Sequence, residues 1–163
     1  MEYKAYYVEE SDGVFSSSIQ SLEIPEPQDG ELLISVSYSS LNYKDALCAT
    51  GVKGVAASYP FVPGIDAVGT VAKSNSDAFH EGDKVICSGY KLGMSANGGF
   101  GSLICVPADW VVHLPSAMSD FEAMSYGVAG LTSAACVKSI IDKGVIDTLP
   151  IAVSGATGGV GSV

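Results

Sequence analysis

Positive charge is scarce in this chain. Eight lysines and arginines stand against eighteen aspartates and glutamates, a formal net charge of −10. Such a field repels phosphate backbones and anionic bilayers, so neither nucleic acid nor a membrane is the expected partner. A local site for an anionic cofactor is not excluded by the global sum. The start, Met1-Glu-Tyr-Lys, lacks the apolar segment of a signal peptide. No stretch approaches the ~18 uncharged apolar residues of a membrane span. The four cysteines, Cys48, Cys87, Cys105 and Cys136, are scattered without a C-x-x-C pair. They read as reduced, buried thiols, and the cytoplasm is the expected compartment. His80 and His113 stand in no metal-ligand spacing.

What is present argues for a folded chain. With 163 residues, 47% of them hydrophobic, one good core can be buried. Nineteen glycines and eight tyrosines point to β-structure with many turns. Lys4 to Glu9 and Phe15 to Glu23 read as strands joined at Ser11-Asp12-Gly13. Glu31 to Ser40 is a further strand, followed by a short helix over Asn42 to Ala49, with Asn42 as its N-cap and Gly51 past its end. Strands are predicted within Phe61 to Val71 and over Lys84 to Ser88, Ser102 to Pro107 and Trp110 to Leu114. Short strands punctuated by Gly, Pro and Asp predict a partly closed β-barrel. Ser119-Asp-Phe-Glu122 then opens a helix through a capping box, with periodicity interrupted between Gly127 and Gly130. The predicted class is mostly β with an α/β end, dividing near residues 1–115 and 116–163.

The last dozen residues carry the sharpest motif. Leu149 to Val153 predicts a buried parallel strand that feeds Gly155, Gly158, Gly159 and Gly161. A strand running into a glycine turn is how a dinucleotide-binding βα unit begins, with the phosphates on the helix N-terminus. Ala156 stands at the first glycine position of G-x-G-x-x-G, and Gly158 and Gly161 at the second and third. The segment about 20 residues onward that reads the ribose falls beyond Val163. We therefore expect an unfinished cofactor site, exposed apolar helix faces, and self-association or disorder beyond about residue 140.

Five motifs occur in an order that resembles the medium-chain dehydrogenase/reductases: Ser40-Leu-Asn-Tyr-Lys-Asp45, Pro63-Gly-Ile-Asp-Ala-Val-Gly69, Gly82-Asp-Lys-Val85, Gly98-Gly-Phe-Gly101 and Tyr126-Gly-Val-Ala-Gly-Leu-Thr132. Within that superfamily the chain resembles the zinc-free YhdH/YhfP quinone oxidoreductase branch, which includes acryloyl-CoA reductases. The resemblance covers essentially the whole chain. It implies a GroES-like catalytic domain followed by the first elements of a truncated Rossmann domain, with roughly half of a family member missing. It further implies addition of hydride from NADPH to the C=C bond of an enone, an acryloyl-CoA-like thioester or a quinone, and a homodimer formed through the Rossmann domain. Zinc members of the fold use a cysteine and a His-Glu pair. Here Leu41-Asn-Tyr-Lys offers no thiolate and Ile65-Asp66 replaces the pair, so no zinc is expected.

The resemblance brings forward Asn42, Tyr43, Asp45 and Asp66 as catalytic candidates. Asn42 would donate its amide to a carbonyl or the nicotinamide, or simply cap the helix. Tyr43 would donate its phenol to an enolate, line the cleft, or pack. Asp45 would order a donor or water, or complement the helix dipole. Asp66, flanked by apolar residues, needs a partner, either Lys44 or a residue in the missing half, or else a shifted pKa. Thr132, alternatively a helix N-cap after Gly130, and the turn Ala156, Thr157, Gly158, Gly159, Val160 and Gly161 are the cofactor candidates. Tyr90, Lys91 and Met94 lie in a glycine-rich loop expected either to edge the cleft or to be plain surface. A non-catalytic GroES-like binding module and a zinc alcohol dehydrogenase are the alternatives.

Overall fold

Two strands separated by two residues open the chain. In the computed structural model, which describes residues 1–144 and 150–163, Glu2–Ser11 (β1) pairs antiparallel with Val14–Glu23 (β2) in unbroken register. Asp12 and Gly13 form the loop, both at positive φ (53° and 78°). That handedness matches the twist of the flanking strands.

Five more strands build the main sheet: Glu31–Tyr38 (β3), Asp66–Ser74 (β4), Lys84–Ser88 (β5), Leu103–Pro107 (β6) and Val111–His113 (β7), in the order β6-β3-β4-β5-β7. Its neighbouring strands are all antiparallel. Ala5 and Val8 of β1 bridge to Gly101 and Phe61, which joins the hairpin to the loops beside the sheet. The partly closed β-barrel expected from the sequence is thus present. Leu32, Ile34, Val71, Val85, Ile104 and Val106 are all at most 1% exposed and fill its centre. Each contributes on the order of 1.5–3 kcal/mol by leaving water. Strand β4 is covered on both faces. Ala67 and Val71 enter that centre, whereas Val68 packs on Ala123 and Met124. Double coverage explains the nearly continuous apolar run in its sequence.

Those covering residues belong to the helix Asp120–Asp142 (α2). Its capping box is as the sequence predicts: the Glu122 carboxylate accepts the Ser119 N–H at 2.9 Å, and the Ser119 hydroxyl oxygen accepts the Glu122 N–H at 3.2 Å. Ser119→Ala is therefore expected to destabilise the chain by about 1 kcal/mol, read as a lower urea midpoint.

Gly127, at φ 49° and ψ −152°, breaks the helix where the sequence pattern is interrupted. The chain divides close by, into Met1–Ser125 and Tyr126–Val163. The expectation that no stretch approaches a membrane span needs amendment. By length and composition Asp120–Asp142 qualifies, with a window of mean hydropathy 1.2. The break at Gly127 leaves a continuous piece of about 15 residues, roughly 22 Å long, short of a ~30 Å hydrocarbon core.

Within the span Leu149 to Val153, where a strand is expected, the described part forms none. Leu149 lies outside the described residues; Pro150 to Val153 take no strand pairing, and Ile151 and Val153 are about half exposed. A strand is stable only beside another strand, and none of the described strands pairs with this segment. The glycine turn after it is nevertheless folded. Gly158 N–H donates to the Gly155 carbonyl at 2.9 Å, and the Ser133 hydroxyl donates to the Val160 carbonyl at 2.6 Å.

Candidate active site

The short helix Tyr43–Ala49 (α1) organises the site. Asn42, Asp45, Ala46 and Ala49 recur at i, i+3, i+4 and i+7, and together form one wall of an open cleft of about 570 Å³. Cys48, on another face, is fully buried with Val8 and Phe61 and anchors the helix. The helix thus divides its side chains between anchorage and cleft.

Asp45 fixes the start of α1. Its carboxylate accepts the Asn42 N–H at 2.8 Å and the Ile65 N–H at 3.0 Å. One side chain thereby caps the helix and ties it to the segment that leads into β4. Asp45 is only 2% exposed, and burial pushes its pKa up from the ordinary value of 3.8. The backbone donors at Asn42, Ile65 and Gly64 oppose that shift, while the nearby Asp66 charge adds to it. A carboxylate with a folded pKa above its unfolded one stabilises the fold below the unfolded value. That contribution is lost as pH rises through the folded value. We expect Asp45 to lower stability as pH climbs from just below 3.8 through its raised pKa, and Asp45→Asn to flatten that limb in denaturation curves taken across pH.

Asp66 opens β4 and is fully buried. Its Oδ2 accepts two hydrogen bonds, one from the Ser40 hydroxyl and one from Asn42 Nδ2 at 2.9 Å. Asn42 Nδ2 also donates to Ser40 Oγ at 3.0 Å, which closes a three-membered ring of contacts. A carboxylate accepts only, so the NH₂ end of Asn42 must face it. Hydrogen bonds reach Asp66 Oδ2 from Ser40 and Asn42, while Lys44, one of the partners expected from the sequence, is exposed. Ser40 Oγ and Asp66 Oδ2 are themselves hydrogen-bonded and so lie on one side of Asn42 Nδ2, whereas the two amide hydrogens diverge by about 120°. One hydrogen is shared between these acceptors and holds the amide in place. Ser40 was missed as a site residue, although it opens the first motif. Its hydroxyl is the small donor that a buried carboxylate requires.

Tyr43 is 81% exposed and lies outside the lining of the cleft. In the glycine-rich loop, Leu92 is fully buried and Met94 packs on the cluster of Val8, Cys48 and Phe61, so the loop is anchored from within. Tyr90 stacks on Trp110, with ring centroids 5.7 Å apart. Thr132 sits inside α2, its hydroxyl donating to the Val128 carbonyl at 2.8 Å, so it is not an N-cap. Among the described residues, no three His, Cys, Asp or Glu side chains gather as a metal site.

The glycine turn is tight. A Cβ at Gly161 would collide with the Gly155 carbonyl oxygen. Only glycine therefore permits this tight fold-back, while Gly158 and Gly159 leave exposed backbone without side chains.

A five-stranded antiparallel sheet with a buried carboxylate at the start of its central strand, and a short helix tied to the segment leading into it, defines a class. Residues 28–116 match the alcohol dehydrogenase GroES-like domain, and the chain belongs to that family within the medium-chain dehydrogenase/reductases. More narrowly, it is 46% identical over 138 residues to a putative quinone oxidoreductase, YhfP, of Bacillus subtilis, covering 84% of this chain and 42% of that one. It is 38% identical over 156 residues to the acrylyl-CoA reductase AcuI of Ruegeria pomeroyi, covering 95% and 47%. Among solved structures, the yhdH oxidoreductase of Salmonella enterica in complex with NADP superposes with a TM-score of 0.92 at 39% identity, covering 98% of this chain and 49% of that one. The chain spans about half the length of the relatives it matches.

Proposed function

We propose that the chain forms the substrate side of an NADPH-dependent, zinc-independent reductase. Its acceptor is the C=C bond of an α,β-unsaturated carbonyl, an acryloyl-CoA-like thioester or a quinone. One observation carries this reading: the Asn42 amide is clamped by Ser40 and Asp66 at the polar end of an otherwise apolar cleft. The relatives named above support the reaction class and the cofactor. In this reading residues 1–115 serve the substrate and 116–163 begin the nucleotide-binding part. The complete protein is a cytoplasmic homodimer. Four free cysteines among the described residues are consistent with a reducing compartment.

Hydride addition to an activated double bond places negative charge on the carbonyl oxygen as an enolate. Hydrogen-bond donors suffice to stabilise that charge. The nicotinamide, when bound, supplies the hydride. Asn42 keeps one hydrogen on the Ser40–Asp66 pair, which holds the amide in place, and donates its other hydrogen to the carbonyl oxygen. Ser40 keeps its own bond to Asp66, so the carboxylate stays solvated throughout. Asp45 keeps α1 in register with β4. Beside the carboxylate stands Ile65, a hydrocarbon that cannot ligate a metal. The backbone of Ala156 to Gly161 would hold the pyrophosphate, and Thr132 would contribute to holding the same cofactor.

The test is NADPH consumption by the full-length protein with acryloyl-CoA and with a quinone. Asn42→Ala is expected to lower kcat/KM by roughly 10²-fold and to leave NADPH affinity unchanged. Oxidation of NADPH with neither acceptor overturns the reading, and stoichiometric zinc in the purified enzyme overturns its metal-free part.

A further inference from the structure

The cleft beside α1 is larger than a three-carbon acyl group needs, and its chemistry is polarised. Ser39, Asn42 and Asp45 supply its polar groups. The remainder is built by Leu41, Ala46 and Ala49 with the aromatic rings of Tyr6 and Phe100. Tyr6 and Phe100 meet edge to face at 6.4 Å, and the Tyr6 hydroxyl is turned away to Ser17 at 2.7 Å. The rings therefore offer hydrocarbon to the cleft. Ala46 and Ala49 are the smallest side chains that keep a helix intact, and at i+4 and i+7 from Asn42 they hollow out the wall beyond its amide. A volume of about 570 Å³ lies within the range of pockets that hold whole small molecules.

We infer that this cleft is a subsite for the apolar body of the carbonyl substrate, with Ala46 and Ala49 setting the size of chain or ring accepted. The inference rests on the reductase reading, since it places the substrate carbonyl at Asn42. It adds to it that acceptors with a medium alkyl chain or a ring are preferred over three-carbon ones. The apolar body lies along Leu41, Ala46 and Ala49 against Phe100. Transfer free energy makes each fully buried methylene worth about fourfold in affinity. Four extra methylenes in a cleft open on one side should then give a preference on the order of tenfold or more.

Saturated ketones test the subsite without chemistry at the cysteines. Butan-2-one and octan-3-one are titrated into the 163-residue chain, and backbone amide shifts are followed by NMR. The expected result is saturable movement of the Leu41, Ala46 and Ala49 amides, at least about tenfold tighter for octan-3-one. Ala46 is exposed, so Ala46→Leu keeps the fold and should abolish the long-chain preference, while Ala46→Ser should retain it. Equal affinities for the two ketones, shifts elsewhere on the chain, or an unaltered preference in Ala46→Leu each overturn the subsite. Binding at these amides by a full-length protein that reduces no enone would leave the subsite standing and overturn the reductase reading.

Discussion

Asp66→Leu is expected to destabilise the Met1–Ser125 unit by about 2–4 kcal/mol, measured by urea denaturation of the chain. Leucine keeps the branched heavy-atom skeleton of aspartate and suits an apolar neighbourhood, although its methyl groups are bulkier than carboxylate oxygens and add some overpacking. The larger part of the loss comes from the donors left behind. Ser40 and Asn42 are half-buried, and both point hydrogens at Asp66 Oδ2. Without an acceptor each forfeits a charge-assisted bond and part of its hydration, about 1–3 kcal/mol apiece. Asp66→Asn keeps one carbonyl acceptor and should cost less than the leucine change. A leucine variant as stable as the parent would mean that desolvating the carboxylate costs as much as its bonds return. The charge would then be held for chemistry alone.

Gly64→Ala should do more damage, about 3–5 kcal/mol or outright failure to fold. Gly64 has φ 106°, and a Cβ there would lie 2.7 Å from the Phe100 nitrogen and 2.8 Å from the Gly99 nitrogen. These are backbone atoms held in place: Gly99 N–H donates to the Gly64 carbonyl at 2.8 Å, and Phe100 N–H to the Pro63 carbonyl at 3.0 Å. Neither can move without breaking the contact that seats Phe100. Gly82 provides the comparison. Its φ is 94°, but a Cβ would meet nothing within 4 Å. Gly82→Ala should therefore cost only the conformational part, about 1–2 kcal/mol. Equal effects at the two glycines would show that close backbone packing at Gly64 is not what that position requires.

Much of the β-rich part was legible because its signals are local. The Asp12-Gly13 turn, the Asn42 cap, the Ser119 box and the interruption at Gly127 each depend on a few adjacent residues and appear where the pattern puts them. The family was legible from motif order, and the comparisons bear it out. What failed depends on distant neighbours. Leu149 to Val153 has a strand's composition, but strand pairing is not a local property. The partner of Asp66 was sought in Lys44 because opposite charge is the obvious complement. Twenty-six residues separate Asp66 from Ser40, and no spacing rule links an extended strand start to a residue just before a helix. Tyr43 drew attention as a polar aromatic within a motif, yet one helical step carries it from the cleft wall to solvent.

The double duty of Asp45 bears on how the protein breathes. One carboxylate accepts the amides of both Asn42, at the N-cap of α1, and Ile65, in the segment leading into β4, so any opening that displaces the Asp45 side chain releases both. In hydrogen–deuterium exchange the two amides should therefore share that opening. A site wired in this way loses the helix cap and its tie to β4 in one event.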